Sequence, residues 1–473
     1  MSSRHRFVVY GDCCSGIPGA LHEETAASVN RVVAALQPPP DFVCFLGDEV
    51  MGLTTSEDNL RAQWRYWLNH EMAWLDRTVT PLYNVPANHT AYDVMSERVY
   101  ADVMTHLPAN GPAGQERLSY FVRRGDLLMI FVDTMSTALG EGRVETDWLE
   151  ETLRQHADAR HKLVFGHHPV WPVNGFSGEF QRELEHVNGQ RFWGVLRRHG
   201  VLAYFCSHML AFDVQVHEGI LQILTAGAGA AHLMPPEWEY LHAVSVALDE
   251  AGLRYEVLDT DGAVRERLSW PPLEPAPDAW IEVAAGAPHP SPRIAEAPVW
   301  LEVSGVTTPT PSGSQTILCA WNDDAWLPPL WLGLVGPEQR LSVLLAPQVG
   351  RSPHLWTGPA MPAGAPFHLH LLLHPGLGPG GLLWRAGPGA SWTSLTCASA
   401  WGLQRLPATT NLSVGSGKGN ADRPWQGPEL RVEIAVLPVH RGERTGRSHA
   451  WPATSQPRIT PPRARPAGVP GSR

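Results

Sequence analysis

The chain has 473 residues, 43% hydrophobic and 18% charged, with a formal net charge of -11. That length exceeds one ordinary domain, so two domains and a tail are expected. The acidic balance excludes a general nucleic-acid binder, which needs surplus Lys and Arg to neutralise phosphates.

The first strand-like run, "RFVVYGD", climbs to a glycine and an aspartate. "LHEETAASVNRVVAALQ" carries Val29, Val32, Val33 and Leu36 at helical spacing, and "PPP" stops it. "DFVCFLGDEV" repeats the strand-then-GD pattern, and a longer helix is expected from about Glu57 to Asp76. Its tryptophans, Trp64, Trp67 and Trp74, suit either the core or a seam against a second domain. "TPLYNVPANH", "DLLMIFVDT" and "HKLVFGHHPVW" read as further strands, with a helix at "TDWLEETLRQHA" and a helix and strand in "FWGVLRRHGVLAYFCSHML". Strands alternating with helices imply an α/β layered domain.

After about residue 220 the rhythm turns to antiparallel strands with Gly and Asp turns. "PPLEPAPDAW" is a candidate linker, placed at 271–279 between a first domain, 1–270, and a second, 280–440. The second domain shows short strands between Gly/Pro loops, the pattern of an all-β sandwich. Residues 441–473 are polar, basic and Pro-rich, and a disordered tail is expected there. No run approaches the ~20 apolar residues of a membrane span, and no signal-peptide core is visible. The six cysteines lack disulfide-framework or zinc-ribbon spacing, which suits a cytoplasmic protein with no membrane partner.

The chemistry gathers at strand ends. Asp12 follows "FVVYG", Asp48 follows "FVCFLG", and Asn88 and His89 follow "LYNVPA"; His167 and His168 follow "LVFG", and His208 follows "AYFCS". Turns favour Asp and Asn at any one such place. Five successive strand ends with oxygen and imidazole donors point instead to one crevice that holds a divalent metal.

In order, "GDCC", "LGDE", "PANHT", "GHHP" and "CSHML" resemble the signature of calcineurin-like metallophosphoesterases, in their purple-acid-phosphatase-like branch: D-x-[HG], G-D, G-N-H-[DE], H-x-P and G-H-x-H. The resemblance covers roughly residues 5 to 270. It implies a layered metallophosphoesterase β-sandwich flanked by helices, and one or two divalent metal ions, with zinc, manganese or iron as candidates. It further implies hydrolysis of a phosphate mono- or diester by metal-activated water. Asp48 then resembles the bridging aspartate, Asn88, His167 and His208 the other ligands of the second metal, and Asp12 a ligand of the first. His89 resembles the histidine that meets the phosphate and protonates the leaving group. His168 either faces substrate or only shapes its turn.

Three departures concern the first metal. Cys13 and Cys14 follow Asp12 where many members have D-x-H, Leu210 replaces the last histidine, and Met51 stands where the branch has a compensating tyrosine. Cys14 could supply a thiolate, favouring zinc, although a buried cysteine acting as a small hydrophobe is commoner. Cys13, Cys44 and Cys206 read as core or loop. Thr90 replaces the acidic residue after His89, leaving Asp93 as one candidate to orient that ring.

In the second half, "FHLHLLLH" puts His368, His370 and His374 at strand spacing, a weak metal signal. Asp323 and Asp324 suit a calcium loop or, more simply, an exposed turn. The pattern resembles concanavalin-like or laminin-G-like sandwiches, which implies a glycan or protein partner or mere packing. The expected function is a metal-dependent phosphoesterase. Its alternative is a non-catalytic relative that binds a partner or glycan through the sandwich.

Overall fold

The computed structural model describes residues 4–135, 142–173, 183–230, 240–309, 313–323, 327–346, 353–375, 381–397, 406–418 and 422–437. The expected tail at 441–473 and Asp324 lie outside the described residues. The chain divides into two compact units, Met1–Leu437 and Pro438–Arg473, and only the first is described.

Among the described residues the first half holds twelve strands: β1 His5–Tyr10, β2 Phe42–Phe45, β3 Leu82–Asn84, β4 Tyr120–Arg124, β5 Leu127–Phe131, β6 His161–Phe165, β7 Ala203–Cys206, β8 Phe212–His217, β9 Ile220–Thr225, β10 His242–Asp249, β11 Gly252–Asp259 and β12 Val264–Trp270. They form two six-stranded sheets, β12-β11-β10-β1-β2-β3 and β4-β5-β6-β7-β9-β8. Strands β1, β2 and β3 run parallel in the first sheet, and β5, β6, β7 and β9 in the second.

Strand alternation explains the layering. Leu127, Met129 and Phe131 of β5 join the core between the sheets, while Leu128 and Ile130 face a separate outer core. The same division puts Phe165 and Phe205 inside, and Val164, Tyr204 and Cys206 outside. Strands apolar on both faces are what buried parallel strands require. Phe7 of β1 meets the rings of Phe165 and Phe205 edge-on across the two sheets, at 6.5 and 6.1 Å.

Helices cover both outer faces: α1 Leu21–Ala34, α2 Glu57–Tyr66, α3 Val94–Val103, α4 Thr146–Gln155 and α5 His186–Arg198. Helix α2 continues only as a π-helical turn, Trp67–Glu71, so it ends short of Asp76. Asp76 instead takes the Thr78 amide, which closes the chain into a turn. Trp64 and Trp67 are fully buried against each other, Phe45 and Tyr100, and belong to the core. No helix among the described residues is long and apolar enough to cross a membrane.

From residue 281 onward the described chain is β-structure. A six-stranded antiparallel sheet centred on Val299–Val306 and Pro366–Leu373 faces a seven-stranded one centred on Ser314–Trp321 and Leu330–Val335. Their inner faces, with Val303, Leu332, Leu369 and Val432, make a second core. The architecture is therefore a layered α/β domain, two facing mixed sheets flanked by helices, followed by an all-β sandwich. Trp300, Leu372 and Trp392, on sandwich strands and their connections, join the first core. The β8–β9 hairpin also bonds the sandwich through Val216 N to Ser394 Oγ and Gly219 N to the Trp392 carbonyl.

Candidate metal centre

The parallel strands of both sheets end at the same edge, and the loops leaving them carry the donors. Pairing between β1 and β2 persists past their ends: Asp12 N donates to the Gly47 carbonyl at 3.0 Å and Cys14 N to the Asp48 carbonyl at 2.6 Å. The two ligand loops thus run side by side. Asp12, Cys14, Asp48 and His208 all adopt left-handed backbone, with φ of 64°, 45°, 55° and 71°. Such conformations cost a non-glycine residue roughly 1–2 kcal/mol and are held only where surroundings enforce them.

Four of the expected ligands converge. Asn88 Oδ1 lies 2.9 Å from both His167 Nε2 and His208 Nδ1, and those two nitrogens are 3.1 Å apart. Asp48 Oδ2 stands 3.5 Å from His167 Nε2. His167 Nδ1–H donates to the Leu46 carbonyl at 2.7 Å, a partner that only accepts. Neutral His167 therefore turns the Nε2 lone pair on an amide oxygen, a carboxylate oxygen and His208 Nδ1, a donor-poor set in which only the His208 ring can supply a proton. A proton on His167, a hydrogen bond from His208 Nδ1–H or a bound cation each relieves that arrangement. Ligands of a tetrahedral cation at ~2.0–2.2 Å stand about 3.3–3.6 Å apart; these separations of 2.9 to 3.5 Å lie near that, and the Asp48, His167 and His208 donors all lie within 4.8 Å of one another, so the set suits a divalent metal.

The electrostatics agree. Burial alone would lower the His167 pKa, but the Asp48 carboxylate, and behind it Asp12, hold it up at about 9. Burial opposes the charge on Asp48, yet His167, His89 and His208 hold it below the usual carboxylate range. Asp12 is pushed up to about 6 by burial, with His167 opposing and Asp48 adding. Its Oδ2 accepts from Ser207 Oγ and, at 2.9 Å, from His208 N, so it braces the β7 loop while facing the site.

His89 sits on the open side with Asn88 and His208, all three only half-buried, whereas Asp12, Asp48 and His167 are buried. Its backbone N–H donates to Asp48 Oδ1 at 2.9 Å and its ring Nδ1–H to the Met51 carbonyl at 2.7 Å. The orienting partner is thus a main-chain carbonyl. Asp93 caps α3 through Ser96, and Thr90 Oγ1 bonds Ala87 within its own turn. Gly52 makes the approach workable: a Cβ there would lie 1.5 Å from the His89 carbonyl oxygen, and φ is +55°. His168 is buried, with Nδ1 2.9 Å from Thr134 Oγ1.

Cys14 Sγ, a carboxylate oxygen of Asp48 and a ring nitrogen of His89 lie within 4.8 Å of one another. Burial, then Asp48 and Asp12, push the Cys14 thiol well above its usual range. Cys13 turns into the core and donates its thiol to the Glu49 carbonyl. Leu210 packs against the outer core of the second sheet. Glu49, fully buried beside Asp48, is pushed up to about 8 by burial and takes Asn84 Nδ2 at 2.7 Å. Sequence reasoning missed Glu49, Ser207 and the Met51 carbonyl; the first carried a signal in "LGDE", the others none.

The sandwich histidines differ. Glu302, His368 and His370 form another three-donor group, but His374 lies past the strand end and takes no part in it. At "WNDDAW", Lys418 Nζ donates to the carbonyls of Asn322 and Asp323, so an ammonium sits where a calcium ion would need those oxygens.

No protein-family model and no curated protein matches the chain. Among solved structures it is similar to a purple acid phosphatase from yellow lupin (Lupinus luteus) seeds, at 14% identity and a TM-score of 0.44, over 57% of this chain and 54% of that one. The chain thus spans about half the length of that phosphatase. It is also similar to GAP50, the anchor in the inner membrane complex of Plasmodium, at 12% identity and a TM-score of 0.39, over 56% and 88% of the two chains. A third is the carbohydrate-binding module CBM40 of the Ruminococcus gnavus IT-sialidase, at 13% identity and a TM-score of 0.26, over 34% and 91%. Likenesses this distant say nothing of activity.

Proposed function

We propose that the chain is a metal-dependent phosphoesterase whose metal centre is built by Asp48, Asn88, His167 and His208. The observation that carries this reading is the convergence of His167 Nε2, His208 Nδ1, Asn88 Oδ1 and Asp48 Oδ2 on one point. A divalent cation held there supplies Lewis-acid charge to a phosphate oxygen and acidifies water. The chain's own residues do the rest. Leu46 and Met51 fix the ring tautomers of His167 and His89 through their carbonyls. His89, on the solvent side, presents Nε2 to the incoming ester and, once protonated, gives its proton to the leaving oxygen. Asp12 and Ser207 hold the His208 loop, and His168 orients its turn through Thr134. Zinc, manganese and iron all suit a nitrogen–oxygen donor set.

A chromogenic phosphodiester and a monoester, each assayed with manganese, zinc and iron beside metal analysis, test the reading. Turnover is expected with at least one metal. Asn88→Ala and His167→Ala should lower it by more than about a hundredfold, the upper range for losing even an outer-shell partner. Activity that survives either substitution overturns the proposal. Leu210 and Met51, which offer no donor side chain, favour a second reading in which the crevice only binds. Less than one metal per chain with no turnover would support that reading.

A further inference from the structure

We propose that the substrate of this centre is a phosphodiester carrying a single negative charge, with an apolar leaving arm that packs on Leu53. The inference rests on the phosphoesterase reading and names the ester that reading leaves open.

Charge carries the first half. The loops that leave β1, β2, β3, β5, β6, β7 and β9 at their C-terminal ends contain no lysine, and their arginines are Arg143 and Arg182. Arg182 lies outside the described residues; Arg143 is exposed, and its charge acts on Glu185, the cap of α5. On the open side of the centre stand Asn88, His89 and His208, so imidazole rather than guanidinium meets the phosphate. Two buried carboxylates, Asp12 and Asp48, already balance the charge of a dication. A phosphomonoester brings a charge of about −1.5 to −2 near neutral pH, whereas a diester brings a single charge. The second charge of a monoester calls for Arg or Lys, and a diester does without it.

Loop geometry carries the second half. Leu53 is 54% exposed and holds φ at +47°, a backbone that strains a branched side chain and persists only where neighbours enforce it. They do so on both sides. Gly52 N donates to Gln63 Oε1 at 2.8 Å, and Gly52 approaches the His89 carbonyl too closely for any Cβ. Thr54 N donates to Tyr92 Oη at 2.9 Å, and the same hydroxyl donates back to the Thr54 carbonyl at 2.7 Å. Leu53 is thus held beside His89 and the half-buried Tyr92. Glycine or asparagine would adopt this φ with less strain, and an exposed leucine adds nothing to the core. His89 gives its proton to the leaving oxygen, so the leaving arm lies on the His89 side. There the loop that orients His89 through the Met51 carbonyl presents Leu53 two residues later.

A pair of inhibitors reads the charge without any assay of turnover. 1-Naphthylmethylphosphonic acid and its monomethyl ester share one apolar arm, joined to phosphorus through carbon, and differ by one charge at about pH 8. Calorimetry on the full chain loaded with manganese or zinc should find the ester bound about tenfold more tightly, or better. Hydrolysis reads the arm. Methyl 1-naphthyl phosphate should exceed methyl phenyl phosphate about tenfold in kcat/KM, the low end of what one methylene contributes in an apolar pocket. Leu53→Gly suits the loop's φ and removes only exposed atoms; it should bring that ratio close to one and weaken the ester phosphonate about tenfold. Where esters are turned over, three results each overturn the inference and leave the phosphoesterase reading standing: 1-naphthyl phosphate hydrolysed as well as its methyl ester, equal affinity for the two phosphonates, or a naphthyl-to-phenyl ratio that Leu53→Gly does not move. Without turnover, a Leu53-dependent preference for the ester phosphonate upholds the selectivity of the crevice and removes hydrolysis. With neither turnover nor that preference, both fall.

Discussion

Two clusters in this chain have nearly the same composition and opposite chemistry. At the strand ends, Asp48, His167 and His208 group with Asn88; on the sandwich, Glu302, His368 and His370 lie equally close together. The difference is what stands behind the rings. Leu46 offers His167 a carbonyl, which takes the Nδ1 proton and leaves Nε2 as a lone pair. Behind His370 stands Arg385, whose guanidinium donates to Nδ1 at 3.0 Å. That bond demands a lone pair at Nδ1, so the Nε2 of neutral His370 carries the proton and cannot ligate a metal. Arg385 also stacks 4.5 Å from the Trp392 ring and pairs bidentately with Glu274. The sandwich cluster therefore fastens the 271–279 segment, and the strand-end cluster is open to a cation.

The sharpest break of this comparison exchanges alanine into each cluster. His167→Ala should remove bound metal and lower hydrolysis by more than about a hundredfold, whereas His370→Ala should leave both unchanged. Metal content by emission spectroscopy beside the phosphodiester assay separates them. Metal lost from His370→Ala would show that the guanidinium does not set the tautomer.

Arg385→Met probes the fastening. It keeps the apolar stem but strips the cation from the rings of Trp392 and Trp300, at 4.5 and 5.5 Å, and desolvated cation–π contacts are worth about 2 kcal/mol. Glu274 is exposed enough to be resolvated, so no charge is stranded. A denaturant-measured loss of about 2 kcal/mol with unchanged metal content is expected. A loss of metal would tie the two clusters together.

Asp133 supplies a third environment, a buried carboxylate with no imidazole or guanidinium bonded to it among the described residues. Burial pushes it up to about 7, against the Met135 amide that favours its charge. Because the folded pKa lies above the unfolded value, its stability contribution is full below about pH 4 and is lost as pH rises through about 7. Asp133→Asn should match the wild type near pH 4, and its advantage should grow by about 1.4 kcal/mol per pH unit until it levels off above about pH 7. Parallel pH–stability curves for the two proteins would mean that Asp133 stays ionised by another route.

Much of this was legible in the sequence, for identifiable reasons. Apolar runs ending in Gly-Asp, Asn-His and Gly-His mark buried parallel strands whose C-terminal loops carry donors, and the folded chain brings Asp48, Asn88, His167 and His208 together. What stayed hidden is carried by main chain or by distant pairing. The Met51 side chain has no donor, yet its carbonyl orients His89. Arg385 meets His370 only through antiparallel registration of two sandwich strands. Lys418 reaches the Asn322 and Asp323 carbonyls from about a hundred residues downstream. Residue types reveal side-chain donors, but not which lone pairs remain once the backbone has taken its share.

The smallest effect concerns the two adjacent cysteines, and it bears on why the strand-end loops are strained. Cys13 is 1% exposed, packs in the core and bonds the Glu49 carbonyl. Cys14, outside that core cluster, holds φ at +45°. Glycine at 14 relieves a left-handed cost of roughly 1–2 kcal/mol, offset by about 0.5–1 kcal/mol for the freer unfolded chain. Cys14→Gly should therefore unfold within about 0.5 kcal/mol of the wild type. Glycine at 13 gains no such relief and loses a buried side chain, so Cys13→Gly should cost about 1–2 kcal/mol more than its neighbour. Were Cys14→Gly the more damaging of the two in metal-free buffer, the thiol would be serving the fold. The strain at 14 would then have no claim to be the cost of aiming a sulfur at Asp48 and His89.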